Sequence, residues 1–502
     1  MAFFPRLSSP VEQKFGRQAL RVFVAGILAC TALHAVRAYW ALQCSAHAPG
    51  TAATSGFEWE SLFAVFREVH GAPVFTNPAY SPFCSSYFNW LFYLSNGIVA
   101  KPLVAIFGDT AIPFAGRLFN FAGSIAGVFA LGLLWEALRR DSQRTPRVVG
   151  WMLALFWGTG PLIGWWAFTL RPDVWAAALE AYGLVWIAMR RTSRFGWRAL
   201  PAALAFFCAW SFKQTAVSGV VAATLFLLLE KDLRALMALV FGYTFAILLV
   251  FDLASPGYLA AFADLVSNNR YDSGVFHANL AGFLAKTAPL LVGVACWSLP
   301  VMRRDSAPPA PGAAHRVLRL GAIATVVSVI LTLILTSKVG ASTNYYFPVA
   351  TALTLLAFGL IALRPPSTLS LVASGTTALV IAGALIFGKA GSVSLAPQLH
   401  TLTTRLAEFD RLKEPRWSCD ARLDLPWINL HSPTYILAYN YETDRTAGLS
   451  FERGGIGGVI ERGELKSLML PAGTGDTFDG HSLRRYRRVA TLAGLSVFVL
   501  KH

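Results

Sequence analysis

Charge is what this chain has least of. Only 14% of its 502 residues are charged, where soluble domains average about a quarter, and 55% are hydrophobic. That balance excludes a soluble multidomain protein and a disordered chain. Cysteine is also sparse: Cys30, Cys44, Cys84, Cys208, Cys296 and Cys419 show no paired metal-ligand spacing, and three of them fall inside apolar blocks. They define neither a zinc site nor a disulfide framework, and only a bridge among Cys44, Cys84 and Cys419 stays open. Repeats at solenoid period are lacking, and the one low-complexity stretch is the Pro/Ala linker APPAPGAA at 307–314.

Acids are the scarcer charge, 27 Asp and Glu against 43 Lys and Arg, for a net charge of +16. On a soluble domain this excess would point to nucleic acid. Here the basic residues cluster in short gaps between long apolar blocks such as 220–229 and 326–335. That is the positive-inside pattern of a membrane chain, so the partner is a lipid bilayer and not nucleic acid.

Arg6, Lys14, Arg17 and Arg21 precede the first block, 22–42. It is too long for a signal peptide and lacks a small-residue cleavage site close behind it, so it reads as a membrane helix with a cytoplasmic N-terminus. Arg139, Arg140, Arg144 and Arg147 mark the next cytoplasmic gap. A return span at 113–138 must precede them, leaving 43–112 as a large first extracytoplasmic loop with interfacial helices. Within it the apolar stretch 87–107 would, as a span, throw the Arg139 cluster outside, and is read as interfacial or re-entrant. Further spans at 149–166, 174–189, 199–210, 216–229, 236–251, 287–301, 320–336, 347–363 and 369–387 put Arg190, Arg191, Arg194, Arg198, Lys231, Arg234, Arg303, Arg304, Arg316, Arg319 and Arg364 inside. The expected fold is an all-α polytopic membrane protein of about eleven transmembrane helices over residues 1–388. Charges return over 389–502, where PTYILAYNY and GGVI read as short strands and QLHTLTTRLAEFDRLK as a polar helix. This is expected to be a small extracytoplasmic α/β domain.

Polar residues on the inner face are orientation signals, so chemistry is sought on the outer loops. Glu58 and Glu60 open a helical stretch of the first loop, either as first-turn dipole partners or as carboxylates that accept a proton from an attacking hydroxyl or amine. Arg171 and Asp173 flank Pro172 at the start of a span, either as a helix cap with a local ion pair or facing a cavity. Lys213 stands on an outer loop against the charge bias, and Asn269, Arg270, Lys338, Asn344 and Tyr345 occupy two more. Cations beside amide donors are what a phosphate at the membrane surface needs, and solvated loop residues are the alternative.

The early acid with GAPVFTNP, then YFNWLFY, RPD, KQT and GASTNYY, resembles the polyprenyl-phosphate-dependent membrane glycosyltransferases of the GT-C fold. Within these the chain is most similar to the prokaryotic protein mannosyltransferase and lipid A aminoarabinose transferase group, glycosyltransferase family 39-like, over residues 56–348. The resemblance implies a bacterial inner (plasma) membrane enzyme that moves a sugar, with inversion, from a polyprenyl-phosphate donor to an extracytoplasmic glycan, lipid or protein. It implies Glu58 as base, on its spacing to Gly71 of GAPVF, with Glu60 second. Arg270, Lys213 or Lys338 would hold the donor phosphate, and Arg171, Asp173, Asn269, Asn344 and Tyr345 would shape the site. Many relatives carry adjacent acids, whereas this chain splits them as Glu58-Trp59-Glu60, which leaves the division of labour and any divalent-metal role open; no cofactor is certain. Two rivals are a secondary transporter, for which Glu180 is the deepest acid to test, and a non-catalytic envelope scaffold.

Overall fold

The computed structural model describes residues 10–47, 57–81, 83, 86–142, 146–190, 196–267, 271–302, 312–338, 340–389, 396–429 and 436–501. Fifteen helices come first: α1 (Pro10–His47), α2 (Phe57–Val69), α3 (Trp90–Phe107), α4 (Ile112–Ser142), α5 (Arg147–Thr159), α6 (Gly164–Ala167), α7 (Asp173–Met189), α8 (Leu200–Phe212), α9 (Ser218–Leu229), α10 (Leu233–Leu253), α11 (Pro256–Ser267), α12 (Ser273–Met302), α13 (Ala313–Leu335), α14 (Phe347–Leu363) and α15 (Thr368–Lys389). Eight of them, α1, α3, α4, α10, α12, α13, α14 and α15, contain stretches long and apolar enough to cross a bilayer. The chain is an integral membrane protein. Lipid as solvent explains α10, which exposes Leu233, Met237, Phe241, Phe245 and Leu248 at nearly four-residue spacing where a soluble helix would carry charge.

Packing between these helices depends on small residues. A Cβ on Gly26 of α1 would lie 2.3 Å from the Gly375 carbonyl of α15, and one on Gly375 would lie 2.6 Å from Phe23 Cα. Close backbone approach is how apolar helices gain dispersion energy when lipid offers no hydrophobic drive. Ser374 adds a hydrogen bond across to the Pro289 carbonyl of α12 at 2.8 Å, and Trp297 one to Ser370 at 3.1 Å.

The bundle has two chemically different ends. At one, Glu136 takes hydrogen bonds from Arg147 and Trp151, Arg190 pairs with Asp232, Arg319 bonds Glu230 at 2.5 Å, and Arg316 caps the carbonyls of Arg190 and Ile187. The opposite ends of the same helices carry Arg117 of α4, Asp173 of α7 and the loop before α14. Asn89 at the start of α3 donates to the Trp210 carbonyl near the end of α8, while Asp109 just past its end accepts from His70 beyond α2. Both ends of α3 thus bond to partners around the first-loop helix α2 and the end of α8.

Helices occupy the expected apolar stretches, with departures: α1 begins at Pro10, twelve residues before the apolar block at 22, and α13 at Ala313, seven before the run at 320. The stretch 149–166 is not one helix: α5 ends at Thr159, with the Gly160 N–H bonded to Phe156, and Pro161 follows. Helix α12 begins at Ser273, about four turns before the apolar run at 287, because Asp272 accepts from the Val275 N–H and caps it.

The C-terminal domain comprises α16 (Ala396–Asp410), β1 (Arg416–Ser418), α17 (Ala438–Ala447), α18 (Gly455–Arg462), β2 (Ser467–Pro471), β3 (Thr477–Phe478), β4 (His481–Ser482), β5 (Tyr486–Leu492) and β6 (Leu495–Leu500). Its main sheet has the order β1-β2-β6-β5, with β1 parallel to β2 and the other pairs antiparallel. Alternation along the strands sends Leu468, Leu470 and Phe498 toward α17 and α18, and Met469 and Val497 toward Leu402 and Phe409 of α16. Of the segments read as strands, AYNY lies in α17 and GGVI in α18, both helical, while 433–435 lie outside the described residues. Their buried residues explain this, since Ala438, Tyr441 and Asp444 recur at helical spacing. In α18, a Cβ on Gly457 would lie 2.3 Å from His481, so that glycine serves a close helix contact. Cys419 is a free thiol, while Cys44 and Cys84 lie outside the described side chains.

Candidate functional site

Glu58 and Glu60 occupy the first turn of α2, two residues and therefore about 200° apart around the helix. They are both fully buried, so neither is a solvated end, and they face different surroundings. Glu58 meets Arg117 of α4, whose Nε and Nη2 stand 3.1 and 3.0 Å from its Oε1, and the Leu170 N–H donates to the same oxygen at 3.1 Å. Arg117 also donates to the Ala41 carbonyl of α1 at 3.1 Å. This ion pair ties α1, α2, α4 and the loop before α7 together.

Glu60 is served by neutral donors. Tyr93 of α3 hydrogen-bonds one oxygen, and Ser61 donates to the other at 3.3 Å. Burial pushes its carboxyl up to about 8, against the opposing pull of Tyr93, the Tyr87 N–H, Ser61 and the Arg171 charge. It changes charge near neutral pH. Tyr439 of α17 stands over this region, its ring edge-on to Phe57 and Trp59 at 5.4 and 5.8 Å. Burial raises the Tyr439 phenol to about 12, which keeps it a hydrogen-bond donor.

A second constellation adjoins the first. Asp173 accepts from Arg171 at 3.1 Å, from Lys213 at 2.5 Å and from Asn344 at 2.6 Å. The three partners come from the turn before α7, the turn after α8 and the turn before α14, which is why the sequence separates residues that the fold assembles. Lys213 Nζ sits 4.2 Å from the Tyr345 ring centre. The Arg171 guanidinium lies over Trp166, Phe57 and Phe88 at 4.7, 5.4 and 5.6 Å, an arrangement that favours a planar cation. Arg171, Asp173, Lys213, Asn344 and Tyr345 thus converge, and the cluster holds two cations against one acid.

Lys338 goes elsewhere. Its ammonium donates to the Leu265 carbonyl at 3.4 Å, its backbone bridges to Tyr271, and burial lowers its pKa against the nearby Asp264. Asn269 and Arg270 lie outside the described residues. Among the described residues no group of three His, Cys, Asp or Glu is placed to hold a metal ion.

Three participants were not singled out from the sequence. Arg117 sits inside an apolar span, Tyr93 inside the stretch read as interfacial, and Tyr439 inside a segment read as a strand. The C-terminal domain closes over the same region: Tyr87 donates to Asp444 at 3.1 Å, the Glu452 N–H to the Ala79 carbonyl at 2.8 Å, and Trp427 packs on Phe66. An Arg inside a hydrophobic run signals that it needs a buried partner, but the sequence does not say which of Glu58, Glu60 and Glu68 supplies it.

The fold and the site define a polytopic membrane protein with a polar, loop-built centre at one end of its bundle, roofed by a small α/β domain. No family model matches the chain, and no curated protein or solved structure matches it significantly.

Proposed function

We propose that the protein is a GT-C-type membrane glycosyltransferase, taking a sugar from a polyprenyl-phosphate donor and passing it with inversion to an extracytoplasmic glycan, lipid or protein. The observation that carries this reading is the meeting of a buried first-loop carboxylate with the Arg171–Asp173–Lys213–Asn344 cluster at the end of the bundle opposite the basic belt. Eleven crossings result if α3 lies in the interface and the shorter helices α5, α7, α8 and α9 cross within the bundle, where protein neighbours relieve the length requirement. The N-terminus is then cytoplasmic and the C-terminal domain extracytoplasmic, in a bacterial inner membrane.

The acceptor oxygen or nitrogen attacks the anomeric carbon, its proton passes to a carboxylate, and the bond to the phosphate oxygen breaks to release polyprenyl phosphate. Spacing ranks Glu58 first as that carboxylate. Glu58, however, is committed to Arg117, whereas Glu60 has only neutral hydrogen-bond donors and titrates near the working pH, so Glu60 is the proposed base and Glu58 the anchor. The surplus positive charge of Arg171 and Lys213 over Asp173 would hold the departing phosphate.

The test is transfer from a polyprenyl-phosphate hexose in proteoliposomes. Glu60→Gln, which keeps size but cannot take a proton, is expected to slow transfer about a hundredfold to ten-thousandfold with normal insertion. Near-normal transfer by Glu60→Gln would remove Glu60 from the chemistry. The absence of transfer by the wild type from any polyprenyl-phosphate sugar would remove the enzyme class.

A further inference from the structure

The C-terminal domain spends most of its arginines on ion pairs. Arg405 and Arg422 share Asp420, Arg411 takes Glu408, Arg416 takes Asp410, Arg445 bridges Glu442 and Asp479, and Arg462 takes Glu464. The run Arg484-Arg485-Tyr486-Arg487-Arg488 departs from that habit. Its four arginines are all exposed, and among the described residues none of them pairs with a carboxylate. Exposed Lys501 and Lys466 stand beside them: Lys501 donates to the Arg484 carbonyl at 2.8 Å, and the Lys466 carbonyl accepts from the Leu500 N–H at 2.9 Å. Like charges crowded on one surface repel one another and raise a positive potential toward solvent, which an anionic partner relieves.

The run opens β5, which is an edge strand, since the sheet order β1-β2-β6-β5 leaves its outer side without a strand neighbour. Tyr486 pins it there, its ring buried and its hydroxyl bonded to the Leu465 carbonyl at 2.8 Å. Register sets Arg487 opposite Val499 and Arg488 opposite Phe498, so the two side chains leave on opposite faces of the sheet. Charge therefore follows a ridge, with the backbone of an open edge along its crest. A flat lipid surface meets only one face of such a ridge. A second copy of β5 would set arginine against arginine, which is destabilising directly across a pair of strands. The bulge between Arg488 and Ala490 confines regular pairing to the arginine end. An extended acidic segment fits all three features, because its backbone completes the edge while successive carboxylates reach both faces.

We propose that the arginine end of β5 is a docking edge for an extended acidic segment of a partner protein, added as a further strand whose carboxylates pair with Arg487 and Arg488 on the two faces. Arg484, Arg485 and Lys501 raise the potential that draws it in. Docking at this edge is independent of the glycosyltransferase reading and holds whether or not the chain transfers sugar.

The test uses the full-length protein in detergent and a fluorescent synthetic peptide of repeating Thr-Glu-Glu, read by anisotropy at low salt. Wild type is expected to bind it, and the double variant Arg487→Gln/Arg488→Gln to bind it about tenfold more weakly, two charge-assisted cross-strand pairs being lost. Both side chains are exposed, so the unfolding midpoint of the double variant should match the wild type, which separates lost docking from lost folding. A peptide of repeating Pro-Glu-Glu carries the same charge but lacks a backbone N–H at every third position, and wild type is expected to bind it about tenfold more weakly as well. Equal affinity for the two peptides would overturn strand addition and leave a surface for any polyanion. Binding of heparin without binding of the Thr-Glu-Glu peptide would overturn the acidic segment in favour of an anionic glycan. Peptide affinity unchanged in the double variant, or no peptide binding by the wild type, would remove β5 as a docking edge.

Discussion

At the scale of single residues, the two first-loop acids illustrate what sequence alone conveys. Their presence near a helix start was readable, and so were Arg171, Asp173, Lys213, Asn344 and Tyr345 as polar residues of loops read as outer, Lys213 against the charge bias. Which acid does what was not readable, since the choice depends on a 200° turn of helix and on Arg117, 59 positions away in sequence. The burial of Glu60 has a measurable consequence. Its folded pKa of about 8 exceeds the ordinary 4.5, so between those values the unfolded chain has released a proton that the folded chain retains. Stability is fully present below about 4.5 and falls as pH rises toward 8. Glu60→Gln should flatten that part of the pH profile in thermal unfolding of the purified protein. A wild-type profile that climbs from pH 5 to 8, with Glu60→Gln parallel to it, would show that the carboxyl ionises freely in the fold. If Glu60 is also the base, transfer should increase with pH and level off above about 8, the opposite trend from stability.

At the scale of elements, helix spans were legible because lipid imposes a simple length and polarity rule. What that rule misses is lateral chemistry. It cannot tell a helix that crosses the bundle from one that lies along its end, the choice α3 poses, and it gave no warning that α17 and α18 would be helices. The Glu58–Arg117 pair is the bolt between α1, α2 and α4, and here a mutant cycle separates anchoring from catalysis. Either Glu58→Gln or Arg117→Gln alone leaves an uncompensated buried partner, at a cost of about 3–5 kcal/mol. The double variant should be destabilised by clearly less than the sum of the singles, with a coupling of about 0.5–3 kcal/mol. Additive losses would mean that the two charges act independently despite the 3.0 Å separation. The α1–α15 crossing gives a second element-scale expectation: Gly375→Leu should split that contact and lower the yield of folded protein, because its new side chain starts 2.6 Å from Phe23 Cα. Gly383 on the same helix has no neighbour within 4 Å of a would-be Cβ, so Gly383→Leu should be tolerated.

At the scale of the whole molecule, the segregation of chemistry between the two ends ties topology to function. The basic belt at Glu136, Arg190 and Arg316 is spent on internal pairs and carbonyl caps. The acid end is covered by a separate domain whose side chains reach into the first loop. Orientation and roof can be tested with one set of variants. Single cysteines at Ser142, at the end of α4, and at Thr477, an exposed residue of β3, should be labelled from opposite sides of intact membranes, Thr477 from the outside by an impermeant maleimide and Ser142 only after permeabilisation. Labelling of Ser142 from the outside and of Thr477 only after permeabilisation would require α3 to cross after all, since α3 precedes both sites; labelling of both from one side would overturn the odd number of crossings between them. The roof makes a sharper demand. Tyr87, Phe57 and Phe66 are covered by Asp444, Tyr439 and Trp427, and Tyr439 stands within electrostatic reach of Glu60 and Arg171. If the domain served only as a handle for envelope partners, Tyr439→Phe would be silent in a purified transfer assay. As part of the site, the variant keeps the ring edge-on to Phe57 and Trp59 while removing the hydroxyl, so packing should hold and acceptor use should suffer. The expected signature is a higher KM for the acceptor with donor binding unchanged, and Tyr439→Ala should add a loss of thermal stability that Tyr439→Phe does not show. Equal transfer kinetics in wild type and Tyr439→Phe would confine this domain to a structural cover.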